Sequence, residues 1–230
     1  MLSHSPSIVT EGLVLCLDAA NPKSYPGTGT GWTDLSNTGN NGVLTNGPSY
    51  STLNGGNINF DGTNDTINCG SAPQIGSSLT ALTVEVFLRT AVAETKLIAE
   101  NGTSFTQNTF YLAQENSTQF TFSTYGGGDQ DLIAANFSYQ TNRWYHLVGV
   151  WQSGVRNKLY SNGIDVTSPY SGSIRTTLQN GNTNLFLGCR GGGASFFFNG
   201  DIPVFRIYTK ALSAHEVNQN FNALRGRFGI

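Results

Sequence analysis

Apolar residues in this chain recur at every second position over short stretches, with clusters of turn residues between them. The segment RWYHLVGVWQSGVRNKLYSNGIDV, residues 143–166, shows the pattern best. Residues 143–151 predict a strand rich in aromatic and β-branched side chains. Residues 152–157 predict a loop, and 158–161 and 164–167 predict two strands joined by Asn162-Gly163. That dipeptide suits a type I′ turn, whose two central residues both need φ > 0. Strand alternation puts Trp144 and His146 on one face and Tyr145 and Trp151 on the other. All four then belong to the core and none to a binding surface.

The same pattern runs through the chain. Residues 12–18 (GLVLCLD) form a continuous apolar run, which predicts a buried first strand. Residues 21–46 are dense in Gly, Asn and Pro and predict a long irregular loop pinned by Trp32, Leu35 and Val43. Residues 57–60 and 66–69 predict strands flanking the turn Asp61-Gly62-Thr63-Asn64-Asp65. Further strands are expected at 82–89, 96–100, 109–113, 119–124, 131–136, 185–188, 196–199 and 202–208. Gly126-Gly127-Gly128-Asp129 reads as a flexible loop tip, and Gly191-Gly192-Gly193 as a second glycine loop. Phe196-Phe197-Phe198 in a strand leaves one side facing outward, so the C-terminal helix is expected to cover it, with an interface to another subunit as the alternative.

One helix is expected, at 213–225. Ser213 and Glu216 have the spacing of a capping box, and Val217, Phe221 and Leu224 follow on one face. Many short strands with turn signals between them and no βαβ alternation predict an all-β fold, an antiparallel β-sandwich jelly roll. Residues 1–11 read as an N-terminal arm and 12–230 as a single domain.

Composition narrows the partners. Charged residues make up 11% of the chain, against about 25% in a typical domain. The formal net charge is −2 and no basic stripe exists, so no nucleic-acid partner is expected. No run approaches the ~18 apolar residues of a membrane span, so no membrane insertion is expected. The opening residues MLSHSPSIVTEG lack a basic and an apolar region, so no secretory leader is expected, and the sequons at Asn64, Asn101, Asn116 and Asn136 stay unused. Cys16, Cys69 and Cys189 are too scattered for a disulfide framework or a zinc site and read as small buried apolar residues.

Candidate chemistry is sparse. Glycan-cutting sandwiches need closely spaced carboxylates on one strand face. Glu85 stands alone in TVEVFLR and reads as a partly exposed strand residue. Asp129 and Asp131 share parity but sit beside a glycine loop. His4, His146 and His215 form no metal or triad spacing, and His146 reads as a core histidine bonded to backbone. No catalytic residue is nominated. Asp61 and Asp65 offer hard oxygens to a structural calcium, against the competing reading that they cap turn amides. No other cofactor is expected. Trp32, Tyr125, Asp129 and Arg190 are the candidate ligand-binding residues, because sugars stack on aromatic faces and are held by guanidinium forks.

Several of these stretches also resemble one family. Trp144, His146, Leu147 and Val148, followed by Leu159, Tyr160, Asn162 and Gly163, resemble a signature of the laminin G-like, concanavalin A-like jelly rolls. INFDGTNDTI, LTVEVFLR and FNGDIPVFRIYTKALSAHEV resemble further motifs of that family, and residues 12–48 resemble versions found in tailed-phage structural proteins. Related jelly rolls often carry an acidic residue where Pro203 stands here, with Asp201 two positions earlier, which weakens the metal site the family would imply. The resemblance implies a non-catalytic virion accessory protein, a capsid decoration or cement or a fibre component. Its expected partners are a capsid or tail protein and further copies of itself. The alternative is a lectin-like module binding a cell-surface glycan, and the remote alternative a glycoside hydrolase.

Overall fold

The computed structural model describes residues 7–71, 74–76, 78–102, 108–116, 118–179, 184–191 and 195–230. Residues 1–6 of the arm, with His4, and Gly192 and Gly193 of the second glycine loop lie outside the described residues.

Strands dominate. They are β1 (Leu13–Asp18), β2 (Gly31–Trp32), β3 (Gly42–Thr45), β4 (Ser49–Ser51), β5 (Asn57–Asp61) and β6 (Thr66–Ser71). Then come β7 (Ala81–Thr90), β8 (Lys96–Gly102), β9 (Asn108–Glu115), β10 (Gln119–Gly126), β11 (Asp129–Ala135) and β12 (Trp144–Gln152). The last are β13 (Val155–Ser161), β14 (Ile164–Asp165), β15 (Thr167–Gly172), β16 (Asn184–Leu187) and β17 (Asn199–Tyr208), before helix α1 (Ala214–Phe228). An eight-stranded sheet runs β14-β13-β12-β7-β17-β5-β4, with β1 also on β17. A nine-stranded sheet runs β15-β11-β10-β9-β8-β16-β6-β3-β2. Pairing is antiparallel throughout, and the sheets stack face to face around a core that includes Trp32, Phe60, Phe122, Trp151 and Phe205.

The helix adds a third layer. Ser213 caps it with the expected capping box, and Val217, Phe221 and Phe228 are buried on its inner face. They close over the outer face of the eight-stranded sheet, against Val148, Tyr208, Phe87 and Val204. Strand β12 is therefore covered on both sides: Tyr145, Leu147 and Trp151 enter the inter-sheet core, while half-buried Trp144 packs 4.9 Å from Phe228. Asn162-Gly163 turns the chain between β13 and β14 with φ of 51° and 79°, as expected. Cys16, Cys69 and Cys189 are buried and free.

Several expectations need correction. Residues 21–46 hold two short strands, β2 and β3. Trp32 does pin the segment, but Val43 is exposed and Leu44 takes the inward position, because strand parity there is shifted by one. Gly127 and Gly128, at φ 61° and 83°, make a two-residue hairpin turn between β10 and β11. The stretch expected at 164–167 divides: β14 stays in one sheet and β15 crosses to the other. Phe196–Phe198 are not a strand, and α1 does not cover them. Phe198 is buried in the inter-sheet core, edge-on to Phe60 at 6.0 Å, while Phe196 packs on the far side of the nine-stranded sheet.

Candidate functional site

The densest group of titratable side chains lies between the eight-stranded sheet and α1. Glu85 on β7 receives hydrogen bonds from Arg206 Nη1 at 3.1 Å, Tyr208 Oη at 3.2 Å and Asn220 Nδ2 at 2.8 Å. His146 Nε2 lies 2.9 Å from its Oε1. Burial by itself would raise the Glu85 carboxyl. The Arg206 charge and the hydrogen bonds from His146 and Tyr208 outweigh it and hold the group at about 2. His146 is stacked on Phe87 at 4.4 Å and Phe221 at 5.7 Å, and its Nδ1 has no partner among the described residues. With Glu85 ionised, the ring therefore donates through Nε2. Glu85 and His146 are both 0% exposed, so no substrate reaches them. This corrects the expected partly exposed Glu85; His146 is in the core as expected, with its ring bonded to Glu85 and not to backbone. The group fastens α1 to the sheet through Asn220.

The expected sugar-binding residues divide sharply. Trp32 is fully buried in the inter-sheet core and presents no surface to a ligand. Tyr125 and Arg190 meet on the outer face of the nine-stranded sheet. There Tyr125, buried, stands 6.5 Å from Tyr111 in a patch with Leu97 and Leu132, and Phe196 packs against it. The Arg190 guanidinium lies over the Phe196 ring at 5.8 Å. Burial raises the Tyr125 hydroxyl, Glu100 and Asp129 push it further and Arg190 opposes them. Asp129 sits at the edge of the patch, exposed and paired with Arg175 at 3.2 Å.

The backbone holds this patch in place. Leu97 donates to the Phe196 carbonyl at 2.9 Å, and the Gly191 amide donates to buried Glu100 at 2.5 Å. Phe196 adopts φ 54°; among the described residues every other non-glycine at positive φ is an asparagine. A bulky residue there costs about 1 kcal/mol or more, and such strain collects at functional sites. Nothing local in FFF announces that conformation. Tyr111 was legible: it alternates against inward Phe110 and Leu112.

The other nominated acids are engaged in structure. Asp65, buried, accepts the Asp61 amide at 2.9 Å, and Asp61 accepts the Thr63 amide at 2.7 Å. That is turn capping, and among the described residues no group of three metal-ligating side chains forms. Asp131 is sealed between the sheets, accepting from Arg156 at 2.6 Å and the Asn157 amide at 2.8 Å, so it does not pair with Asp129. Asp201 binds Arg89 at 2.7 Å beside the bulge at Pro203. A polar cleft of about 680 Å³ at one end of the eight-stranded sheet is lined by Thr80, Gln152, Ser153, Thr209 and the ion-paired Lys210, with no aromatic face for a ring to stack on. Among the described residues no helix is long and apolar enough to cross a membrane.

Known proteins share this architecture. The family described as the concanavalin A-like lectin/glucanases superfamily matches residues 61–218. Human adhesion G-protein coupled receptor D1 is 31% identical over 96 residues, 42% of this chain and 11% of the receptor. The binding domain of Paraclostridial Mosquitocidal Protein 1 superposes with a TM-score of 0.69 at 16% identity, over 93% of this chain and 52% of that one. The botulinum neurotoxin serotype D ligand binding domain, in complex with N-acetylneuraminic acid, gives 0.67 at 12% identity, over 93% and 51%. A botulinum neurotoxin type C structure, from a toxin whose cell entry is described as dependent on interaction with two ganglioside molecules, gives 0.70 at 14% identity, over 94% and 52%. The chain spans about half the length of these solved chains and about a tenth of the receptor. At such identities the solved structures speak for the fold alone.

Proposed function

Because the chain belongs to the concanavalin A-like lectin/glucanases superfamily, we propose that it is a non-catalytic, lectin-like module that binds a cell-surface glycan. The outer face of the nine-stranded sheet is the binding surface. The observation that carries this is Arg190 stacked over Phe196, a ring held in left-handed backbone at the border of the Tyr111–Tyr125 patch. Partly exposed Phe196 gives a sugar ring an apolar edge and partly exposed Arg190 a cation beside it, over the buried Tyr111 and Tyr125. The solved relatives that bind N-acetylneuraminic acid or interact with gangliosides support the ligand class. A non-enzymatic role is supported by the carboxylates that hydrolysis would need: Glu85 and Asp131 are fully buried and tied into ion pairs.

A glycan array, followed by calorimetric titration of any hit, tests the reading. Wild type should bind, and Arg190→Ala should weaken binding about tenfold or more. A blank array removes the lectin role; undiminished binding by Arg190→Ala removes the site. Turnover of a chromogenic glucan would overturn the non-catalytic reading.

We further propose that the module works on the surface of a virion, as capsid decoration or fibre component, in contact with a capsid or tail protein and with copies of itself. This rests on the motifs shared with tailed-phage jelly rolls. Immunogold labelling of purified particles tests it, and unlabelled particles would sink it.

A further inference from the structure

Asn-Gly serves this chain as a turn dipeptide, and it is also a reactive one. With no side chain on the glycine, its backbone nitrogen can reach the Cγ of the asparagine before it. Reaction needs that nitrogen free of other bonds, an asparagine side chain free to turn, and water at hand.

The fold withholds these conditions from most of its Asn-Gly pairs. Asn101-Gly102 and Asn199-Gly200 lie in β8 and β17, with Asn101 and Gly200 buried. Gly42 is buried in β3 against Trp32, so the nitrogen that follows Asn41 is shut inside the sheet. The Gly55 amide donates to the Thr52 carbonyl at 3.1 Å, and Asn54 Nδ2 donates to the Arg227 carbonyl at 2.8 Å. Half-buried Asn162 accepts the His146 amide on Oδ1 at 2.9 Å, which ties its side chain to β12. Asn180-Gly181 lies outside the described residues.

Asn46-Gly47 differs from all of these. Both residues are exposed, between β3 and β4, at φ 67° and 107°. The Gly47 amide makes no hydrogen bond among the described residues. The Asn46 side chain is held there by one exposed contact, from Nδ2 to the Asn64 carbonyl at 3.0 Å.

We propose that Asn46 is a modification site, converted without an enzyme to aspartate and isoaspartate. The Gly47 nitrogen gives its proton to solvent base and bonds to Asn46 Cγ. The Cγ–Nδ2 bond breaks, ammonia leaves, and a five-membered imide remains. Water then opens that ring. Cleavage between the Gly47 nitrogen and Cγ gives aspartate, and cleavage on the main-chain carbonyl side gives isoaspartate. The sum is one water consumed and one ammonia released, with no change of oxidation state.

Either product carries a carboxylate where the amide stood, so the donor to the Asn64 carbonyl is lost. The new charge lies close to buried Asp65, whose Oδ1 is 3.8 Å from where a Cβ on Gly47 would stand. Asp65 caps the turn by accepting the Asp61 amide, and Thr45 pairs with Thr66 directly beside it. Like charges repel. Deamidation therefore loosens the corner where β3 meets β6.

Peptide mapping by mass spectrometry tests the site. Folded protein is incubated at mildly alkaline pH, and each Asn-Gly peptide is followed for exchange of the amide NH2 for OH. The Asn46 peptide should convert several times faster than those of Asn41, Asn54, Asn101, Asn162 and Asn199. In concentrated urea all of them should convert at similar rates, because the fold no longer protects any. Equal rates in the folded protein overturn the proposal, as does faster conversion at Asn162 or Asn54. An Asn46 peptide that is slowed by folding as strongly as the others overturns it too. Asn46→Asp should melt below wild type, while Asn46→Gln should resist conversion; an unchanged midpoint for Asn46→Asp overturns the loosening of the corner.

Discussion

Glu85 and Arg206 stand directly opposite each other on β7 and β17, with Nη1 3.1 Å from Oε1. Neither reaches solvent. Removing one partner leaves the other's charge buried and uncompensated. Glu85→Ala should therefore lower the unfolding free energy by about 3–5 kcal/mol. Urea denaturation checks this, and a loss under about 1 kcal/mol would mean the pair is not sealed.

The same carboxylate makes stability depend on pH. It titrates at about 2 in the fold, against an ordinary value of 4.5. The unfolded chain thus takes up the proton first as acid is added. The stabilisation is complete above pH 4.5 and drains away as pH falls toward about 2. It amounts to something on the order of 3 kcal/mol. Asp34 is also shifted: burial would raise it, but the Ser36 and Cys16 amides and the Ser36 and Thr38 hydroxyls together lower it, so it adds to the trend. Denaturant melts at pH 6, 4 and 3 should show the decline, and Glu85→Gln should flatten it.

The two sheets approach closely at Gly149. A Cβ there would run into the Phe122 ring on the facing strand. Gly149→Ala should cost about 1–3 kcal/mol through overpacking. A neutral thermal shift would show that β12 can slide on the opposite sheet.

Asn220 joins three elements. Its Nδ2 donates to Glu85 at 2.8 Å, and its Oδ1 accepts the Val9 amide at 2.8 Å. Asn220→Ala should cost about 1–3 kcal/mol and release the arm. Hydrogen exchange at the Val9 amide reports it directly: protection should disappear there and persist in β12.

The tryptophans of β12 should differ. Trp151 is fully enclosed, so Trp151→Ala should cost about 3–5 kcal/mol. Trp144 is half-buried under Arg89 and Phe228, so its truncation should cost clearly less. Equal losses in chemical denaturation would contradict this.

These residues also mark the limit of what the sequence shows. Asn162-Gly163 and the Ser213–Glu216 box declare themselves because turns and caps are local chemistry. Strand alternation finds Tyr145 and Trp151. It fails at Glu85, because α1 covers the outer face of β7 and no local pattern tells a solvated face from one roofed by a helix more than a hundred residues later. It also fails at Val43, where a shift of one position exchanges the two faces. Tyr125 and Arg190 were nominated as loop neighbours, yet what unites them is sheet order and the left-handed turn at Phe196.

Strand β1 finds its place only against β17, and Val9 is bonded to Asn220, 211 positions away. A ribosome delivers the first of these long before the second. Until the final strand and helix emerge, the leading strand has no edge to join, and the apolar face of β7 has no cover. The eight-stranded sheet is thus completed through contacts between distant parts of the chain, the kind of pairing that slows folding.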